Sequence, residues 1–282
     1  MEIVRRLRTA DGAALGYRLW RGGPSRSVLV LLHGLASNLT RWSEFVAATS
    51  LRGSWNLLRI DLRGNGRSLH RGRLDVARWC ADLAAVLEAE AYPRAVLAGH
   101  CLGANVAIEF ASRYRTRAAG LVLIEPMLPE ALRGSLRRVG RLRPLLRLVV
   151  PLLLAMNALG LHRRHLPPLD LEALDRETRA ALAAERSAAA LVERYASPWL
   201  DLRTTPTVTW LQSLMAVSDP LPDLATIAVP VLALLSTGTA FTDPTVTERR
   251  LAALSHGRIV RLDAQHWIPT ECPDAMRRAI EE

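Results

Sequence analysis

A single cysteine, Cys101, lies in the pattern Gly99-His100-Cys101-Leu102-Gly103, where an apolar run ends and a helical pattern begins. This is the turn from strand to helix that presents a catalytic nucleophile, with Cys at the position where Ser is usual. So sharp a turn requires neighbours without bulk two residues away on either side. The positive end of the following helix favours the thiolate, which is the reactive form. A pattern with only three fixed positions, Gly-x-Cys-x-Gly, also occurs by chance. The pattern alone therefore also fits a tight connection between strand and helix in which the Cys is buried and unreactive.

Other residues of the kind that carry catalysis stand where predicted strands end. Short apolar runs end at His33, Asp61 and Glu125, as the run before Cys101 does. Strands and helices alternate along this part of the chain, which predicts a mostly parallel sheet with helices on both faces. Because the active sites of such sheets lie at the carboxyl ends of the strands, these four residues favour a site at one edge.

The alternation stops between residues 127 and 222, where the sequence predicts helices and no strand. A Leu-rich segment from 142 to 161 is interrupted by Pro144 and Pro151, and a second helix is expected from 170 to 195. The Leu-rich segment also contains Arg and Asn and is barely long enough to cross a bilayer. We therefore interpret it as part of a helical lid with an apolar face.

The predicted organisation is one α/β core with an inserted helical cap. Residues 1–126 and 223–282 form the core, and residues 127–222 form the cap. Basic pairs at 137–138 and 163–164 bound the Leu-rich segment and leave peripheral membrane contact open. No apolar h-region follows the first residues, so we expect no signal peptide there and a cytoplasmic location.

Composition narrows the classes of function. Half of the 282 residues are hydrophobic, which is enough for a sizeable core. The net charge is +10, and all 37 basic residues are Arg. They are scattered without an aromatic-interleaved stripe, which argues against a nucleic-acid partner and leaves attraction to anionic substrates or membrane surfaces. The spacing of Cys80, Cys101 and Cys272 matches no metal site and suggests no disulfide framework, so no metal or other cofactor is expected.

The order of the motifs resembles the α/β-hydrolase superfamily over the whole chain. The motifs come in this order along the chain: HGL at 33–35, DLRGNGRS at 61–68, GHCLG at 99–103, a helical insertion, and AQHW at 264–267. The resemblance implies a mostly parallel, doubly wound α/β-hydrolase sheet with an inserted helical cap. It also implies that His266 takes the proton of the nucleophile and later returns it.

The resemblance further assigns the groups around the nucleophile. The backbone N–H groups of Leu35 and Leu102 would form the oxyanion hole, since two such donors stabilise the oxyanion of a tetrahedral intermediate. Trp267, in the AQHW motif, is expected to contact substrate. His33 and His100 are the competing histidines, the first at a structural position of the family and the second next to the nucleophile.

The acid of the triad is where the sequence departs from the family pattern. The usual acid follows the strand that ends at Leu235, but the matching positions hold Thr239 or Phe241, and Asp243 is the nearest carboxylate. Some members of the fold, haloalkane dehalogenases among them, take the acid from the end of the strand after the nucleophile helix. Glu125 stands there. We favour Glu125 as the acid that orients the histidine and keep Asp243 as the alternative.

Three functions remain open at this point. The first is a hydrolase that forms an acyl-Cys enzyme on an ester or thioester with a hydrophobic acyl group, free or carrier-bound. The second is an acyltransferase or cyclase that passes the acyl group from Cys to an alcohol or amine, which attack thioesters well. The third is a non-catalytic ligand-binding member of the fold, against which the Cys–His pair argues. The sequence does not determine the oligomeric state.

Overall fold

The computed structural model describes residues 2–23, 27–185, 195–238 and 240–282, and an eight-stranded sheet organises them. The strands are β1 (Glu2–Arg8), β2 (Ala14–Trp20), β3 (Val28–Leu32), β4 (Asn56–Ile60), β5 (Ala95–His100), β6 (Ala118–Ile124), β7 (Val231–Ser236) and β8 (Gly257–Leu262). Their order across the sheet is β1-β2-β4-β3-β5-β6-β7-β8. β1 and β2 pair antiparallel, β2 and β4 also pair antiparallel, and β3 to β8 run parallel. The expected mostly parallel α/β-hydrolase sheet is confirmed.

Helices follow most of the parallel strands, as the alternation predicts. They are α1 (Ser43–Ala48), α2 (Val76–Ala89), α3 (Leu102–Arg113), α4 (Gly134–Ala158), α5 (Leu171–Glu185), α6 (Pro198–Thr204), α7 (Thr207–Ala216), α8 (Pro244–Leu251), α9 (Ile268–Glu271) and α10 (Pro273–Glu281). The first turn of α2 shows why a helix begins there. The side chain of Asp75 accepts a hydrogen bond from the backbone N–H of Arg78 at 2.8 Å and satisfies a donor without a partner in the helix.

Both faces of the sheet are covered by apolar side chains. Every residue of β3 and β4 is buried, as expected for strands that pack against helices on two sides. On one face Trp79 of α2 and Phe110 of α3 join the larger core cluster. On the other face Phe45 of α1 and Met276 of α10 join a second cluster. The sheet is therefore a rigid layer whose strand ends hold the loops that carry the candidate site.

The insertion between β6 and β7 is helical, with α4 to α7 in its described part. The Leu-rich helix begins eight residues earlier than expected, at Gly134, and continues through Pro144 and Pro151. Both prolines lie on its exposed side, where water can satisfy the carbonyls that they leave without a donor. Of the helix predicted from 170 to 195, the structure describes α5, and residues 186–194 lie outside the described residues. Among the described residues, no helix has the length and apolar character needed to cross a membrane.

The turn from β5 to α3 depends on close packing of backbone against backbone. A Cβ atom on Gly103 would lie 2.5 Å from the carbonyl oxygen of Leu32 and 2.7 Å from that of His33. A Cβ atom on Gly99 would overlap the carbonyl of Gly103. The spacing of the two glycines around Cys101 is therefore required by contact with β3 and with the first turn of α3.

We expect Gly103→Ala to lower the free energy of unfolding by about 3 kcal/mol, because backbone atoms must move to admit the methyl group. Chemical denaturation followed by circular dichroism measures this. Gly53→Ala is the matched control, because nothing lies within 4 Å of its Cβ position. Equal stability of the two variants would contradict the packing described for the turn.

Candidate active site

Strained backbone marks the carboxyl ends of three adjacent strands. Among the described residues, four other than glycine have positive φ angles, and three of them follow β3, β5 and β6. They are Ala36 at 48°, Cys101 at 55° and Glu125 at 50°. Such conformations cost free energy and persist only where the surrounding structure holds them. The strain is therefore concentrated at the edge of the sheet where the sequence predicts a site.

Cys101 stands at the N-terminus of α3, in the sharp turn after β5. Its backbone N–H donates to the carbonyl of Ile124 at 2.9 Å, which ties the turn to the end of β6. A Cβ on Gly34 would lie 3.2 Å from the Cys101 Cβ, so the loop after β3 packs directly against the nucleophile position. The first N–H groups of α3, beginning at Leu102, have no acceptor within the helix. The positive end of the dipole of α3 therefore lies at the turn that holds Cys101.

His266 and Glu125 meet at this edge although 141 residues separate them in the chain. The Nδ1 atom of His266 lies 3.2 Å from Oε2 of Glu125, and both side chains are almost fully buried. Cys101 lines the same cavity as His266, and its interaction with the imidazole raises the pKa of His266. A cysteine, a histidine and a carboxylate thus lie together at this edge of the sheet, and the histidine and the carboxylate are in direct contact.

The surroundings of His266 favour its charged form. Burial alone lowers the pKa of His266, but the interactions with Cys101 and Glu125 outweigh burial and raise this pKa to about 10. The free group has a pKa of 6.5. Because the pKa of His266 is higher in the folded chain than in the free group, protonation of His266 stabilises the fold. This stabilisation is fully present below pH 6.5 and is lost as the pH rises towards 10.

Glu125 is held in place by backbone and by neighbouring loops. Its Oε1 atom accepts a short hydrogen bond from the backbone N–H of Ser236, at the end of β7. Two residues further on, the backbone of Met127 exchanges hydrogen bonds of 2.8 and 2.9 Å with the side chain of Asn105 in α3. These contacts fix the segment after β6 and leave Oε2 directed at the imidazole of His266.

The loop that carries His266 is organised by Glu271, a residue that lies outside the sequence motifs. Its carboxylate accepts the backbone N–H groups of Gln265, His266 and Trp267 at 2.8, 3.1 and 2.8 Å. Glu271 lies in the one-turn helix α9, too short to leave a periodic signal. The one signal in the sequence that could have identified Glu271 is its position as an acidic residue five positions after the histidine of AQHW.

The structure does not bring Asp243 to His266. Its carboxylate accepts from the backbone N–H groups of Thr245 at 3.0 Å and Val246 at 3.3 Å, and it pairs with Arg133. These bonds cap the N-terminus of α8 and leave the carboxylate directed away from the imidazole. The geometry therefore favours Glu125 over Asp243 as the partner of His266.

Phe241 lies against His266 in place of an acid. The two rings meet edge to face with centroids 4.9 Å apart. One of the two positions considered for the usual acid thus presents an apolar ring to the imidazole. Thr239, the other position considered for that acid, lies outside the described residues.

The two competing histidines have structural contacts. Nε2 of His33 accepts the backbone N–H of Leu62 at 2.9 Å, so its Nδ1 donates to the carbonyl of Gly34 at 2.8 Å. Burial lowers the pKa of His33 to about 4. Burial likewise lowers the pKa of His100, whose Nε2 lies 3.2 Å from the carbonyl oxygen of His266. Both rings are neutral supports of the loops around the site.

A cavity of about 180 Å³ opens onto Cys101 and His266. Leu35, the predicted oxyanion-hole residue after β3, and Trp267, the predicted substrate contact, line it. The remaining apolar wall comes from the insertion and from the loop after β7. It comprises Leu136, Val139, Ala196, Pro198, Trp210, Leu214, Val217 and Phe241. Within the described ranges, no cluster of three or more His, Cys, Asp or Glu side chains could hold a metal ion.

Two polar contacts interrupt this apolar wall. Arg41 pairs with Asp175 at 2.6 Å, and both side chains are buried. Asp201 accepts a hydrogen bond of 3.0 Å from the indole N–H of Trp210. Burial raises the pKa of Asp201 to about 6 although this hydrogen bond lowers it. The cavity can therefore offer a polar anchor beside its apolar surface.

Comparison with known proteins gives a matching family and a curated relative. Residues 23–265 match the family described as Serine aminopeptidase, S33. Protein phosphatase methylesterase 1 from Bos taurus is 32% identical over 101 residues, which are 34% of this chain and 27% of that protein. The chain therefore aligns with less than half of the length of this curated relative.

Solved structures align over nearly the whole chain. A hydrolase from Pseudomonas aeruginosa PA01 is 26% identical with a TM-score of 0.70, and the alignment covers 98% of this chain and 96% of that one. The enol-lactonase from Burkholderia xenovorans LB400 is 19% identical with a TM-score of 0.69 and 98% coverage of both chains. At 19% identity, the similarity to the enol-lactonase shows the fold alone.

We expect Glu125→Gln to lower the pKa of His266 by at least about one pH unit, because the charged partner is lost. A pH titration of the imidazole signals by NMR measures this value. Asp243→Asn is the control and should leave the pKa of His266 unchanged. The reverse ranking of the two variants would contradict the contact with Glu125.

Proposed function

The chain belongs to the family described as Serine aminopeptidase, S33, and within it we propose that this protein hydrolyses an ester or thioester through an acyl enzyme on Cys101. The observation that carries the proposal is the buried hydrogen bond between His266 and Glu125 at the cavity that Cys101 also lines. The family name refers to serine, whereas this chain has cysteine at the elbow. The proposed intermediate is accordingly a thioester.

In the first half of the reaction, the Cys101 thiolate attacks the carbonyl carbon of the substrate. A carbon–sulfur bond forms, and the carbonyl π electrons move to the oxygen. The backbone N–H groups of Leu35 and Leu102 stabilise that oxyanion. When the oxyanion collapses, the bond to the leaving alcohol or thiol breaks, and His266 gives its proton to the departing atom.

In the second half, water attacks the thioester carbon while His266 takes one of its protons. A second oxyanion forms and collapses, the carbon–sulfur bond breaks, and the acid leaves with Cys101 as thiolate beside the imidazolium. Glu125 holds the ring so that Nδ1 points to the carboxylate and the other nitrogen serves the sulfur and the substrate. The enzyme ends in its starting state.

An apolar acyl group of modest size suits the cavity. Its volume is about 180 Å³, and most of its wall is aliphatic or aromatic. Trp267 lies beside the imidazole, with ring centroids 5.4 Å apart, and offers a flat surface to the acyl chain. The names of the similar proteins, a methylesterase and an enol-lactonase, also refer to ester and lactone bonds.

We expect Cys101→Ala to reduce kcat/KM for p-nitrophenyl esters by at least about a thousandfold, since no nucleophile remains. Glu125→Gln should reduce it by at least about tenfold through loss of ring orientation. Steady-state kinetics with esters of increasing chain length measure both effects. Asp243→Asn should stay within about twofold of the natural protein, because its carboxylate only caps α8.

The outcomes separate the three functions. Near-normal turnover by Cys101→Ala would overturn the nucleophile assignment. Turnover that appears only after an alcohol or amine is added would identify an acyltransferase. Tight binding of the esters without turnover by the natural protein would identify a ligand-binding member of the fold.

A further inference from the structure

Helix α4 exposes a stripe of large apolar side chains that no other described part of the chain covers. Leu145, Leu148, Leu152, Met156 and Leu159 follow one another at spacings of three or four residues, which places them on one face of the helix. All five are exposed, and Leu148 and Leu159 retain 74% and 76% of their accessible surface. Large apolar patches of this kind mark interaction surfaces.

The charge around the stripe has one sign. Residues 131–169 contain eight Arg and neither Asp nor Glu. Arg137, Arg138 and Arg141 are exposed on the same face of α4, in the turns that precede the apolar stripe. Arg163 and Arg164 are exposed shortly after the helix ends. Arginines thus flank the apolar stripe on both sides in the sequence, and of these Arg163 donates to the carbonyl oxygens of Leu202 and Thr205.

We propose that this face of α4, called here the α4 stripe, binds the surface of a bilayer that contains anionic lipids. Leucine side chains would enter the boundary between headgroups and acyl chains, and the flanking arginines would contact phosphate groups. The helix would lie in the plane of the interface, because no described helix is suited to span a membrane.

Charge argues against a second copy of this chain as the occupant. Two α4 stripes facing each other would bring Arg137, Arg138 and Arg141 of one copy towards arginines at one end or the other of the second copy's stripe, whether the helices pair parallel or antiparallel. Like charges at a desolvated interface oppose association. An anionic lipid surface instead gains favourable contacts from every one of these groups.

The α4 stripe lies on the helix that also forms part of the cavity wall. Leu136 and Val139 of α4 line the cavity that opens onto Cys101. A chain seated on a bilayer by this helix would hold the cavity close to acyl compounds dissolved in the membrane. This consequence rests on the proposed function, whereas membrane binding itself does not.

Flotation of the full chain with lipid vesicles tests the proposal. We expect binding to phosphatidylcholine vesicles that contain about one-third phosphatidylglycerol, and at least about tenfold weaker binding to pure phosphatidylcholine. Binding should also weaken as the salt concentration rises from about 0.1 to about 0.5 M, because the arginine contribution is screened.

Substitutions separate the stripe from the overall positive charge. We expect the double variant Leu148→Gln/Leu152→Gln to bind the anionic vesicles at least about tenfold more weakly, with unchanged thermal stability, since both side chains are exposed. Val4→Gln on β1 is the apolar control, because Val4 is 54% exposed on the far edge strand. We expect weaker binding from the triple variant Arg137→Gln/Arg138→Gln/Arg141→Gln. The double variant Arg6→Gln/Arg8→Gln on β1 is the charge control and should bind as the natural protein does.

Three results would overturn the proposal. One is no flotation of the natural protein with anionic vesicles at low salt. Another is binding that survives the leucine variant unchanged. The third is a dimer in sedimentation analysis that the leucine variant dissociates, which would assign the stripe to a second copy. Ester hydrolysis in solution by the leucine variant is measured alongside, so a failure of the proposed function is recognised separately.

Discussion

The buried hydrogen bond between His266 and Glu125 is the interaction on which the rest of the site depends. Removing one partner of a buried ionisable pair costs about 3–5 kcal/mol, because the other charge is left without compensation. Hydrogen bonds from the backbone hold both partners of this pair in place. Ser236 donates its backbone N–H to Glu125, and the Glu271 carboxylate accepts three backbone N–H groups from the loop of His266. The contact with Cys101 then follows from the turn after β5, which the neighbouring strands hold in a strained conformation.

The end of β6 gives this carboxylate a firmer base than a loop would. Glu125 directly follows a central strand of the sheet, and its backbone N–H donates to Leu234 of β7 at 3.0 Å. Because the carboxylate in contact with His266 comes from the end of β6, the segment after β7 makes contacts of a different kind. Phe241 packs on the imidazole and lines the cavity, while Asp243 caps α8. The apolar cavity and the ionic contact are therefore built from adjacent strand ends, with charge on one side of the histidine and apolar surface on the other.

Local patterns in the sequence predict the sheet and the position of the elbow, because apolar runs, glycines and turns are properties of short segments. Glu125 could be favoured over Asp243 from its place at a strand end, since the parallel sheet brings such ends together. Contacts that depend on packing could not be predicted. Glu271 acts from a helix of one turn, and α4 continues through two prolines because its exposed side tolerates them. The catalytic roles and the boundary of the cap stay predictions.

Mapping of the acyl adduct tests the central claim most directly. The protein is mixed with p-nitrophenyl esters and acyl thioesters, quenched in acid within the first turnovers, digested and analysed by mass spectrometry. We predict one acyl group per chain as a thioester on the peptide that contains Cys101, with none on the peptides of Cys80 and Cys272. Burial raises the pKa of both of those thiols, that of Cys272 to about 12. Turnover without an adduct on Cys101, or an adduct on a serine instead, would contradict the account.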